Sequence, residues 1–142
     1  MTRGKQPDHY TLKAKREGRP ARSAYKLQEI DEKHRLFRSG GSVLDLGCSP
    51  GSWMQYAADA VGPSGRVLGF DLKPVEISLP AHAQAHVGDA FEIRDDMLHA
   101  FDVVLSDMAP ATSGDKKTDA LRSSVLVERT LDVADAHLKP GG

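Results

Sequence analysis

Apolar residues along the chain fall into short runs separated by amphipathic stretches, and the alternation is regular. Residues 21–37 place Tyr25, Leu27, Ile30 and Leu36 near helical spacing among charges, which predicts an amphipathic helix stopped by Ser39, Gly40 and Gly41. Residues 43–46 read as a short buried strand, and residues 52–61 as a helix whose alanines permit close packing. Gly62, Pro63, Ser64 and Gly65 make a turn into a second strand over residues 66–71, RVLGFD. Residues 73–82 form a connection, residues 84–87 a weak third strand and residues 92–99 a short helix. A fourth strand covers residues 101–106, FDVVLS, and a loop over residues 108–115 leads to a long helix over residues 119–138. Residues 1–20, punctuated by Gly4, Pro7, Gly18 and Pro20, read as a flexible arm ahead of one domain over residues 21–142.

Strands that alternate with helices predict βαβ units and a parallel sheet with right-handed crossovers, an α/β fold of Rossmann-like type. With 142 residues there is room for one domain with a real core and not for two. Lys139, Pro140, Gly141 and Gly142 form a helix-to-strand turn at which the chain stops, so the parallel sheet is expected to be C-terminally truncated. A truncated sheet should expose an apolar edge near residues 103–105 and favour association.

Charge adds an asymmetry. Residues 1–38 hold eleven Lys/Arg against five Asp/Glu, while the remainder holds eight against fifteen. A basic arm on an acidic body suits a polyanionic partner that touches one end of the molecule. No apolar run is long enough to span a bilayer, and the N-terminus has no apolar signal core. The single cysteine, Cys48, precludes an internal disulfide framework and fits a reducing compartment, so a cytoplasmic location is expected. His82 and His86 stand four apart in an extended segment without an accompanying glutamate pattern, so no metal is expected there.

The chemistry concentrates at residues 43–53, VLDLGCSPGSW. A glycine turn between a first strand and its helix is where α/β sheets bind nucleotides. A dinucleotide fingerprint needs three glycines around its pyrophosphate, yet here Cys48, Ser49 and Pro50 separate Gly47 from Gly51 and the middle glycine is missing. A nucleoside ligand without a pyrophosphate fits better, and S-adenosylmethionine is one. Asp71 ends the second strand 24 positions after Gly47, where a carboxylate can accept ribose hydroxyls, and Asp89 follows the third strand where it can accept from the adenine amino group. Either acid could instead cap the element that follows it. Asp45 can hold turn amides or the ligand's ammonium group. Asp107, after the fourth strand, falls beside the first turn and can orient a catalytic base or stabilise a cation.

Taken together, ARSAYKLQEID at residues 21–31, the 43–53 motif, FDLKP around Asp71, VGDAF around Asp89 and LSDMAPATSG at residues 105–114 resemble the FtsJ/RrmJ family of ribose 2′-O-methyltransferases. The likeness runs from about Gly18 to the end, in the family's order. It implies a methyl transfer from S-adenosylmethionine to a ribose 2′-hydroxyl, on a uridine of large-subunit ribosomal RNA ahead of a tRNA. Cofactor contacts would fall on Asp45, Gly47, Ser49, Pro50, Gly51, Trp53, Asp71, Asp89 and Asp107. The family's Lys-Asp-Lys-Glu tetrad would begin with Lys26 and Asp107, with its second Lys and its Glu beyond Gly142. Arg19, Arg22 and Lys26 would meet RNA phosphates, which position without reading sequence. Tyr25 suits a base stack less well than the helix core. Two rivals are a non-catalytic RNA-binding module and a nicotinamide-dependent oxidoreductase; the missing glycine argues against the second.

Overall fold

The computed structural model describes residues 23–108 and 113–142. Four strands, β1 (Ser42–Leu46), β2 (Arg66–Asp71), β3 (Ala83–Val87) and β4 (Val103–Ser106), pair in parallel in the order β3-β2-β1-β4. Three α-helices accompany them among the described residues: α1 (Ser23–His34), α2 (Ser52–Val61) and α3 (Lys116–His137). All five residues of β1 are buried, as a central parallel strand covered on both faces requires. Successive side chains of a strand point to opposite faces. Val43 packs with Leu27 of α1 and with Met54, Ala57 and Val61 of α2. Leu44 and Leu46 pack on the other face with Phe70, Ile93, Phe101 and Val133 of α3. Full burial of each such leucine contributes about 1.5–3 kcal/mol.

Polar contacts fix how the layers meet. Asp31 accepts from the Tyr56 hydroxyl at 2.8 Å and from Phe37 N–H at 3.1 Å, which ties α1 to α2. At the amino ends of the strands Asp102 accepts from Ser42 N–H at 2.8 Å and from Lys139 Nζ at 3.3 Å. The Ser42 N–H, with Lys139 beside it, holds the Asp102 carboxyl below the usual carboxylate range. Phe101 N–H donates to His137 O at the end of α3 and Phe101 O accepts from Lys139 N–H, each at 2.8 Å, which closes that side of the sheet.

Several boundaries move from their expected places. Helix α1 stops at His34, because Arg35 adopts a φ of 51° and Asp31 takes Phe37 N–H. The helix expected over residues 92–99 is a single 3-10 turn, Asp95–Met97. Arg129 of α3 claims the Ala90 and Ile93 carbonyls at 2.8 and 3.4 Å, and Met97 N–H turns to Arg94 O instead. Helix α3 begins at Lys116, not residue 119, because Asp115 accepts from Lys117 N–H at 3.0 Å and from the Thr118 hydroxyl at 3.0 Å. Strand β4 starts two residues late, since Phe101 bridges to Leu138.

β4 ends the strand order, with β1 as its one partner among the described residues. Its side chains do not supply the expected apolar edge: Leu105 is buried and Val103 and Val104 are half-buried. Exposed large apolar side chains are found on α3 instead, at Leu121, Val125, Val127 and Leu131, and elsewhere at Ile30, Leu72, Val87, Phe91 and Met97. No helix among the described residues is long and apolar enough to cross a membrane. The expected basic arm, including Arg19, and Arg22 after it lie outside the described residues.

Candidate active site

The strand order runs from β1 outward through β2 to β3 and then reverses to β4, so the crevice at the carboxyl ends of β1 and β4 is a topological switch point. The turn after β1 fills it. Gly47 and Cys48 N–H groups both donate to Phe70 O, at 2.8 and 3.2 Å, and bind the turn to β2. Gly47 has φ of 82°, and a Cβ there would come within 3.0 Å of Met108 N and Cγ, against the end of β4. Gly51 has φ of 119°, and a Cβ there would meet Val75 Cγ1 at 2.7 Å and Ile77 Cγ1 at 2.8 Å. Both positions need the left-handed region that glycine enters without strain, and both lack room for a side chain. The peptide between Ser49 and Pro50 is cis. Ser49 Oγ donates to Pro74 O at 3.0 Å, and Pro50 O accepts from Glu76 N–H at 3.0 Å, so the turn is fastened to the segment after β2.

Of the acids expected at the strand ends, Asp71 and Asp107 lie beside this turn, and Asp89 follows β3 at the edge of the sheet. Asp71 is half-buried and accepts from Ser49 N–H on one oxygen and from Lys73 N–H on the other, each at 2.9 Å. It therefore shapes the turn, and each of its oxygens keeps a second lone pair for a ligand hydroxyl. Asp89 caps the bend that follows it, with Phe91 N–H donating to Oδ1 at 2.9 Å. Asp107 is exposed, and its N–H donates to Leu46 O at 3.1 Å, which sets it beside the first turn.

Asp45 behaves differently. It is fully buried, and neither carboxylate oxygen has a hydrogen-bond partner among the described residues. Of the two roles open to it, holding turn amides belongs to Asp71 instead. Burial first, then repulsion from Asp107 and Asp71, pushes the Asp45 carboxyl from 3.8 up to about 7. Burial, together with the charges of Asp45 and Asp71, pushes the Cys48 thiol up to about 12, so it is an inert packing group.

Lys26 is exposed on α1, whose Ala24, Tyr25 and Leu27 are buried; it has no ion pair with Asp107 among the described residues. Tyr25 is a core residue. Trp53, in the first turn of α2, is half-buried and packs against the core on that face. The two histidines have structural partners: His82 bonds Ala58 O at 2.8 Å and His86 stacks on Phe70. Sequence reasoning missed three residues. Val75 and Ile77 wall the turn from a segment that read as plain connection, where their apolar character was the available signal. Arg129 braces the loop after Asp89 across 36 to 39 residues of sequence, and no local pattern announces that.

A parallel α/β sheet with a glycine turn and acids at its switch point, in place of a three-glycine pyrophosphate cradle, is an α/β fold of the methyltransferase type. Residues 20–142 match the FtsJ-like methyltransferase family, and the chain belongs to it. It is 53% identical over 139 residues to "Ribosomal RNA large subunit methyltransferase E" of Desulforapulum autotrophicum, an alignment that covers 95% of this chain and 68% of that one. The protein of the same name from Desulfosudis oleivorans is 54% identical over 142 residues, covering 97% and 69%. Among solved structures, a Plasmodium falciparum protein described as a ribosomal RNA methyltransferase superposes with a TM-score of 0.70 at 25% identity, over 84% of this chain and 72% of that one.

Proposed function

We propose that the chain carries the cofactor half of an S-adenosylmethionine-dependent ribose 2′-O-methyltransferase whose substrate is large-subunit ribosomal RNA. The observation that carries this reading is the placement of the Gly47–Gly51 turn, Asp71 and Asp107 around one crevice, with the orphaned carboxylate of Asp45 beneath it. Asp71 and Asp107 repel a pyrophosphate, and with Asp45 beneath them they suit a ligand whose charged groups include cations. Relatives at about half identity carry a large-subunit ribosomal RNA name, which supports ribosomal RNA over tRNA.

In this reading Asp71 takes ribose hydroxyls with its remaining lone pairs and Asp89 takes the adenine amino group. Ser49, Pro50, Gly51 and Trp53 wall the nucleoside, and Asp45 faces the ammonium end. S-adenosylmethionine, when bound, supplies an electrophilic methyl group. The protein's own contribution is alignment and proton handling, because transfer between two held partners gains most from geometry. Lys26 orients the target ribose or its phosphate, with Arg19 and Arg22 on neighbouring phosphates. Asp107 steers the general base, which the family resemblance assigns to a lysine beyond residue 142, with the tetrad's glutamate also there.

The test has two arms. Calorimetric titration compares S-adenosylhomocysteine with NAD, and binding of the first alone is expected. The chain extended to its relatives' length is then incubated with labelled S-adenosylmethionine and unmodified large subunits, and the RNA is digested to nucleosides. Label on a ribose 2′-oxygen is expected. Preference for NAD, or label on a base, would overturn the proposal.

A further inference from the structure

We infer that Asp45 is a proton-exchanging counter-charge: it holds a proton while the crevice is empty and releases it to solvent when a ligand ammonium arrives. This rests on the cofactor reading above and deepens it. The O–H bond of the Asp45 carboxylic acid breaks, the proton passes to buffer, and the carboxylate left behind forms an ion pair with the ammonium nitrogen.

The geometry points there from several sides. Asp45 pairs in register with Gly69 of β2 and Leu105 of β4, so it sits at the centre of the sheet one residue pair below the turn. A Cβ on Gly69 would run into Met54 Sδ, so packing on this face is tight. The charged groups acting on Asp45 are Asp107, just after β4, and Asp71, the last residue of β2, both acids, and Cys48 of the turn is a neutral thiol. The helices packed on this face contribute Leu27, Met54, Ala57 and Ala58, which carry no charge, and Lys26 of α1 is exposed. The described acids form no cluster fit to hold a metal ion. A buried carboxyl with both oxygens orphaned and no cation in reach among the described residues is neutral by preference, which agrees with its carboxyl being raised to about 7. A cation delivered at the strand end reverses that preference.

Isothermal titration in buffers of different ionisation enthalpy, from pH 6 to pH 7.5, tests the idea with S-adenosylhomocysteine and with 5′-methylthioadenosine, which lacks the ammonium. The ligand's own α-ammonium stays mostly protonated through this range, since such groups titrate near about 8. S-adenosylhomocysteine is expected to release roughly half a proton at pH 7 and to bind roughly eightfold tighter at pH 7.5 than at pH 6. Methylthioadenosine is expected to bind with no proton release from this group and a flat profile. Asp45→Asn should flatten the S-adenosylhomocysteine profile and remove its advantage over methylthioadenosine. A flat wild-type profile, or an Asp45→Asn profile that keeps the slope, overturns the assignment while leaving the cofactor site standing. Failure of both compounds to bind at any pH removes the cofactor reading and this inference together.

Discussion

Asp45→Asn offers a test in the empty protein that needs no ligand. The folded chain keeps the Asp45 proton up to about pH 7, whereas the unfolded chain loses it near 3.8. Between those values the folded state binds more protons, so the group's contribution to stability falls as pH rises and levels off above about 7. One pKa unit corresponds to about 1.4 kcal/mol, which puts the full loss at about 4 kcal/mol and the part between pH 5 and pH 8 at about 3 kcal/mol. Asparagine matches the protonated acid in size and in buried polar atoms but does not titrate. Its lead in stability over the wild type should therefore be about 1–2 kcal/mol already at pH 5, because the unfolded wild type has begun to release the proton, and should grow by about 3 kcal/mol more by pH 8, roughly 10 °C in Tm for a chain of this length. Urea unfolding of both proteins at each pH isolates the group. The lowered carboxyls of Asp102, Asp115 and Asp119 and the lowered imidazole of His99 act equally in both proteins and cancel in the difference. A difference that stays constant within about 0.5 kcal/mol across the range would show that Asp45 is ionised in the fold, and the reasoning would fail.

Three further outcomes are expected. Gly51→Ala should lose S-adenosylhomocysteine binding and about 2–3 kcal/mol of stability, because its Cβ strikes Val75 and Ile77 at a φ of 119°; denaturant midpoints and titration read both. Asp71→Ala should weaken S-adenosylhomocysteine at least tenfold and lower stability by about 1–2 kcal/mol, since Ser49 and Lys73 N–H groups lose their acceptor; Asp71→Asn should recover part of the stability and little of the affinity. Arg129→Ala should raise amide exchange around Phe91 and Glu92 roughly tenfold by freeing the Ala90 and Ile93 carbonyls, with the centre of β1 unchanged.

The parts of the fold that could be read from sequence are those whose signals are local. α2 and β2 fall at their expected bounds because Gly51, Gly62 and Gly65 bracket them and their side chains follow one period. The parallel sheet followed from the alternation of strands and helices, and the nearness of Asp107 to the first turn from the switch point that such sheets carry. The 92–99 segment misled because Ile93, Met97 and Leu98 have helical spacing, while the carbonyls a helix would use are taken by an arginine 36 to 39 residues away. The start of α3 was missed for the opposite reason, since Asp115 is a local cap in plain sight within a run of polar residues. At the site, residue types were legible and their division of labour was not. Asp71 doubles as the turn's scaffold, which leaves the Asp45 carboxyl without a hydrogen-bond partner among the described residues, and that exchange of roles depends on a β1–β2 register that spacing does not give.

The same register explains why acids gather where they weaken the protein. In a parallel sheet the carboxyl ends of adjacent strands lie side by side, so ligand groups placed at the ends of β1, β2 and β4 are neighbours whether or not their charges agree. Asp45, Asp71 and Asp107 repel one another, and the one furthest from water bears the consequence. An apolar residue at position 45 would pack against Leu105 and Met54 without that penalty, so the acid is a net cost to the empty fold. Such a cost persists where a bound partner offsets it. If that partner is cationic, added S-adenosylhomocysteine must stabilise the wild type more at pH 8 than at pH 6, beyond the gain seen with Asp45→Asn, and thermal unfolding with saturating ligand reads the difference. Equal gains for the two proteins at both pH values would leave the buried acid without a function in ligand recognition.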